Sequence, residues 1–186
     1  MKKIVLFSLL MTSFLYSDAK IYMGVGGGIY SETLDDTAKT NISANMARVK
    51  FGYGDREAYA VEFSVDYIDN SEQLLDINGT VANGTRYGLN VELIKAFDLG
   101  IYINPFVKAG FGMGYMETTV DGGNDTLSFG TFNLGAGTFI PMGEHFDLEL
   151  AYDYKYTSYQ KVQQLSDADI QKSMSHTGYI GVNVRF

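Results

Sequence analysis

From Lys20 onward the chain changes character at almost every residue. In the stretch YAVEFSVDYI, Tyr59, Val61, Phe63, Val65 and Tyr67 fall on one side, and Ala60, Glu62, Ser64 and Asp66 on the other. Side chains of a β-strand point alternately to opposite faces, so a period of two marks a strand with one apolar face. Leu148, Leu150, Tyr152, Tyr154 and Tyr156 oppose Asp147, Glu149, Ala151, Asp153 and Lys155 in the same way. Tyr87, Leu89, Val91 and Leu93 likewise oppose Arg86, Gly88, Asn90 and Glu92. No window after Lys20 carries a helical period. The alternation predicts eight strands, over 21–30, 42–53, 57–68, 85–97, 101–116, 126–139, 146–157 and 173–186. Each exceeds the ~5–6 residues usual in soluble sheets.

The connections alternate in length. Residues 54–56, 98–100 and 141–145 are short turns; residues 31–41, 69–84, 117–125 and 158–172 are long loops. Long loops on one rim and short turns on the other describe an all-β transmembrane antiparallel up-and-down β-barrel of eight strands. The turns are expected in the periplasm and the loops outside the cell.

Glycine and charge decide which face meets lipid. Gly24, Gly26 and Gly28, then Gly110, Gly112 and Gly114, then Gly135 and Gly137 all lie on polar faces. On a wetted face such rows bring only an entropy cost of roughly 0.5–1 kcal/mol each. In the bore of an eight-stranded barrel they make room for large side chains such as Tyr22, Phe106, Arg48 and Arg185. The charges follow the glycines: Arg48, Lys50, Glu62, Asp66, Arg86, Glu92, Lys108, Glu149, Asp153, Lys155 and Arg185 share the polar faces and are expected to form an interior charge network. A Lys or Arg on the lipid face near the midplane would cost ~2–4 kcal/mol. Lys95 alone sits on the apolar side, near a short turn, where it can snorkel. Counting from the turns sets Lys50 opposite Glu62, and Lys108 one diagonal from Glu92. Tyr67, Tyr115, Tyr154 and Tyr156 mark the loop rim and Tyr53 and Tyr59 the turn rim, as aromatic girdles do.

The N-terminus reads differently. Lys2 and Lys3 precede an apolar run over 4–15, and Ser17 and Ala19 stand at −3 and −1 of a cut after Ala19. The run suits the ~7–15 residues of a signal-peptide core and is too short for a spanning helix of ~20. Residues 1–19 are therefore expected to be a cleaved signal peptide, and 20–186 one outer-membrane β-barrel domain. With no Cys among 186 residues, disulfides and thiolate chemistry are excluded. A net charge of −8 argues against nucleic acid as a partner.

The chain ends on GYIGVNVRF, with Ile180, Val182, Val184 and Phe186 on one side. This resembles the terminal strand of bacterial outer-membrane proteins. NPFVKAGFGMGY and FGTFNLGAGTFI resemble the fifth and sixth strands of the small eight-stranded family that includes the OmpA transmembrane domain, OmpX-like and opacity-type proteins. The resemblance implies that the barrel assembly machinery reads Ile180, Val182, Val184 and Phe186. It implies a monomer in the cell outer membrane, surrounded by lipid and lipopolysaccharide, without the periplasmic domain of OmpA itself. The expected role is structural or surface interaction, in adhesion or envelope integrity. A narrow channel, a lipid A-modifying enzyme and a soluble periplasmic barrel are the alternatives.

Little in the sequence suggests chemistry, and no catalytic residue, cofactor or metal site is expected. His145 falls in a turn and His176 on the apolar side near the loop rim. Lipid A deacylases of this family use a His-x-Ser pair with a carboxylate, whereas here Gly178 stands two residues after His176. Residues 24–28, GVGGG, open no helix and are no phosphate loop. Asn78-Gly79-Thr80 has the form of a glycan acceptor, but Asn-Gly is first a turn signal. The four long loops carry formal charges of −2, −3, −3 and 0. Contact with lipopolysaccharide phosphates through divalent cations, or with a host or phage surface partner, is the expectation for them.

Overall fold

The computed structural model describes residues 19–34, 41–69, 75–77, 80–82, 85–120, 123–159 and 172–186. Eight long strands carry the fold: β1 (Lys20–Leu34), β2 (Asn41–Gly54), β3 (Tyr59–Asp69), β6 (Arg86–Ala96), β7 (Asn104–Val120), β8 (Gly123–Pro141), β9 (Phe146–Tyr159) and β10 (Lys172–Arg185). A small pair, β4 (Leu75–Ile77) and β5 (Thr80–Ala82), lies in the loop between β3 and β6. Each long strand pairs antiparallel with its neighbour in sequence. The last then pairs with the first, Tyr22 opposite Arg185 and Leu34 opposite Ser173. The sheet has closed, so the eight long strands present no free edge.

The register also fixes the barrel's shape. Steps from Glu149 across Gly181, Gly26, Arg48, Asp66, Gly88, Gly114 and Phe129 return to β9 at Tyr159, ten residues further on. With strand spacings of ~4.8 Å and rises of ~3.3 Å, that stagger tilts the strands by about 40°.

The alternation sorts the two faces without exception along β2 from Asn45 to Gly54. Val49, Phe51 and Tyr53 are exposed on the outside while Arg48, Lys50, Gly52 and Gly54 are buried. A row of large apolar side chains open to the surroundings, over a buried set of ionised ones, is the reverse of a soluble barrel. Glycines fit the bore as small residues must. A Cβ on Gly137 would come within 2.6 Å of the Phe106 ring, and one on Gly135 within 2.8 Å of the Lys108 chain.

Several details depart from the sequence-based reading. The expected third loop, 117–125, is mostly strand, because β7 runs on to Val120 and β8 starts at Gly123, paired through Val120 and Gly123. The third long strand starts at Tyr59, not at residue 57, and β7 starts at Asn104, not at 101. Residues 97–103 instead form a wider turn, in which Gly100 takes φ 66° and Asp98 Oδ1 accepts the Gly100 N–H at 2.8 Å. Gly143 takes φ 101° in the turn before β9, a conformation other residues rarely adopt. Finally, Lys50 stands opposite Ser64, and Glu62 opposite Gly52. The later start of β3 moves the register by two residues, so Lys50 and Glu62 meet on a diagonal. Residues 1–18 of the expected signal segment, 1–19, and Asn78 lie outside the described residues.

Candidate functional site

The lumen is filled in three layers. Toward the short turns lies an apolar layer of Tyr22, Ala60, Ile94, Ala96, Phe106 and Phe139, all buried. Phe106 and Phe139 stack at 4.5 Å between ring centroids. Arg185 covers this layer from the turn side, its guanidinium 4.7 Å from the Tyr22 ring and 5.5 Å from Phe139. Asp147 accepts from Arg185 and, at 2.9 Å, from Arg56. Toward the loops a second apolar layer holds Tyr30, Ile42, Met46, Ile68, Met116, Leu127 and Tyr159.

Between them runs a belt of ion pairs. Arg48 from β2 binds Asp66 at 2.6 Å through Nε and Asp153 at 2.7 Å through Nη1. Lys108 bridges Glu92 and Asp153, both at 3.0 Å, and Lys155 binds Asp66 at 2.6 Å. Lys50 lies against Glu149 and 3.4 Å from Glu62. The Tyr179 hydroxyl joins the halves, accepting from Lys108 at 3.2 Å and donating to Glu149 at 2.5 Å. Asn90 adds donors to Ser64 and Asp66. Buried charges are tolerated when each finds opposite charge and hydrogen bonds, and a belt that spans β2, β3, β6, β7, β9 and β10 ties strands far apart in sequence.

All eleven charged residues of the expected network are buried in the lumen. Nine meet in or beside the belt, while Arg86 and Arg185 stand apart. Arg86 is in the loop-side layer, 2.8 Å from Glu32 and against Tyr30, Phe129 and Tyr159. Glu32, Asp147 and Arg56 were not expected in the network. Glu32 was assigned to the first long loop, but β1 continues to Leu34 and keeps the parity of Tyr22 and Tyr30, which turns Glu32 inward. Extending the alternation two residues past Tyr30 would have found it. Asp147 was placed on the polar face of its strand, the signal that leads to its pairing with Arg185.

The outer wall carries the rims. Tyr67, Tyr87 and Tyr115 form a ladder across three strands, with centroids 5.5 and 5.1 Å apart. Lys95 lays its ammonium over Tyr59 at 4.1 Å on the turn side. His176 faces outward near the loops, where the Tyr152 hydroxyl meets its Nδ1 at 2.5 Å. Ser31 is its cross-strand neighbour on β1, whereas Ser175 is buried in the lumen. Among the described residues no group of three His, Cys, Asp or Glu side chains is placed to hold a metal ion. Phe186 continues the last strand, its N–H bonded to the Ile21 carbonyl at 2.9 Å, and its ring is exposed beyond Val184 and Val182.

A closed barrel with lipid-type residues outside and ion pairs within has its counterpart among known families. The family model described as outer membrane protein β-barrel domain matches residues 4–186. The chain belongs to this family. Solved structures of the same fold include neisserial surface protein A, 15% identical with a TM-score of 0.71, over 91% of this chain and 100% of that one. The attachment invasion locus protein Ail of Yersinia pestis is 16% identical at a TM-score of 0.53, over 89% of this chain and 98% of that one. OprG of Pseudomonas aeruginosa is 13% identical at 0.53, over 91% and 97%. No curated protein sequence matches the chain. The protein is thus an outer-membrane barrel whose exposed wall is apolar.

Proposed function

We propose that this barrel is a non-conducting anchor that presents its outer-rim connections for contact at the cell surface, in adhesion or envelope integrity, and performs no catalysis. The observation that carries this reading is the filled lumen. The stacked Phe106 and Phe139 with Tyr22 and Ile94 lie between the ion-pair belt and the turn side, each no more than 2% exposed. A passive path for ions would have to cross this packed apolar layer. Planar-bilayer recording tests this. The wild-type barrel conducts nothing above the lipid baseline, and Phe106→Ala with Phe139→Ala opens brief, small steps. Steady conductance of the wild type would replace this reading with a channel.

The charge of the loops points to the kind of surface they meet. The Ail protein of Yersinia pestis, similar at a TM-score of 0.55, was solved in complex with the heparin analogue sucrose octasulfate. The outer-rim stretches expected as loops are acidic in three of four cases, even with Glu32 withdrawn into the lumen and Glu117 and Asp125 carried on β7 and β8. A sulfated polyanion would be repelled. Lipopolysaccharide phosphates bridged by divalent cations, or a cationic patch on a host or phage protein, fit better. Calcium titration of the refolded barrel, followed by NMR of the loops, is expected to shift loop resonances and leave the strands unmoved. The terminal Ile180, Val182, Val184 and Phe186 serve as the stretch that the barrel assembly machinery reads. Phe186→Ala is expected to slow assembly in cells while leaving refolding in detergent intact.

A further inference from the structure

The ion-pair belt is not neutral. Arg48, Lys50, Lys108 and Lys155 supply four cations, against five carboxyl groups from Glu62, Asp66, Glu92, Glu149 and Asp153. Arg48, Lys108 and Lys155 balance Asp66, Asp153 and Glu92. The remainder is Lys50 between Glu149 and Glu62. Glu149 is the better served of the two, since it also accepts from Tyr179 at 2.5 Å and from Asn183 at 2.9 Å. Among the described residues, Glu62 is 3.4 Å from Lys50 and accepts only the Tyr22 hydroxyl besides, at 2.9 Å, both on Oε2. Its other oxygen, Oε1, is buried without a partner. So is Oε1 of Glu92, the residue directly across the strand pair from Glu62 on the same inward face.

We propose that Glu62 carries a proton on Oε1 and through it donates a hydrogen bond to the Glu92 carboxylate, so that the two carboxyls form one acid pair at the centre of the lumen. A single proton brings the belt to neutrality and satisfies both orphaned oxygens together. Two carboxyl groups that share a site rarely ionise together. The groups facing Glu62 from the surrounding strands are Tyr22 on β1, Lys50 on β2, Glu92 on β6, Lys108 on β7 and Glu149 on β9. Arg185, the next cation, is engaged by Asp147 and stacked on the far side of the Tyr22 ring. A bound metal ion in place of the proton would need room. Among the described residues, a lumen cavity of about 20 Å³ lies against Arg86, Asn90 and Lys155, and neither glutamate lines it.

Infrared spectroscopy of the barrel in lipid vesicles at neutral pH tests the proposal directly. The wild type is expected to show one protonated-carboxyl stretch that moves to lower frequency in deuterium oxide, and Glu62→Gln is expected to lose it. Because glutamine mimics the neutral acid, Glu62→Gln should also keep the wild-type urea midpoint, whereas Glu149→Gln should lower it or fail to fold. A wild-type spectrum without that stretch, or the stretch surviving in Glu62→Gln, overturns the proposal. So does a wild-type midpoint that follows sodium or potassium concentration in the absence of the stretch, which would place a metal ion at the pair. The wild-type spectrum decides the matter even if no variant folds.

Discussion

Val65 and Asp66 are neighbours in the chain and live in different solvents. Val65 is 50% exposed on the wall, and Asp66 is 2% exposed in the lumen, held by Arg48, Lys155 and Asn90. The same contrast repeats along every long strand. The wall is chemically uniform: one apolar side chain there does much the same work as another, because acyl chains ask only for apolar contact. The lumen is particular, since each charged residue has named partners at fixed distances. Substitution should therefore hurt most where partners are specific and least where water already reaches.

Removal of one member of the belt breaks this contrast most severely. Arg48→Met leaves Asp66 and Asp153 short of their shared cation and is expected to lose about 3–5 kcal/mol of stability. Urea unfolding in lipid vesicles measures it. In a double-mutant cycle with Asp66→Asn the losses should fall well short of additivity, because the two residues belong to one network. On the wall, chemistry matters only through polarity. Val25→Lys, in the middle of the β1 apolar stripe, is expected to cost about 2–4 kcal/mol in the same assay, while Val25→Leu should be silent.

The contrast between faces was legible in the sequence, and so were the eight strands, because a period of two sustained over ten or more residues has no competing reading. The side that fills the lumen was legible from glycine rows and charges, which suit a crowded bore. What escaped was set by geometry between strands. Glu32 looked like a loop residue because polar residues surround it, yet its partner Arg86 comes from a strand far along the chain. The Lys50–Glu62 register depended on two residues at the start of β3. The pair Leu75–Ile77 and Thr80–Ala82 was read as loop, although the Asn-Gly between them is the strongest short hairpin signal. Its strands of three residues are too short to show alternation. The three-layered lumen, with apolar residues on both sides of the charges, follows from the ten-residue stagger, which no single strand reveals.

Smaller effects sharpen the comparison further. Gly137→Ala would push a methyl group against Phe106 and the Ala151 side chain at 2.6 and 2.8 Å, and overpacking of that kind is expected to cost about 1–3 kcal/mol. At the turn rim, Glu57 and Arg56 approach to 4.0 Å with Glu57 half exposed. Glu57→Gln should change stability by ~0–1 kcal/mol, because water and salt screen the pair.

The orientation of the two faces is tested most directly by site-directed spin labelling, which the absence of cysteine makes simple. Labels at Val25→Cys and Val65→Cys, in barrels reconstituted into lipid vesicles, are expected to relax with oxygen dissolved in the bilayer and to ignore a water-soluble nickel chelate. If both labels instead responded to the chelate and not to oxygen, the apolar wall would not face lipid and the account of the barrel given above would be contradicted.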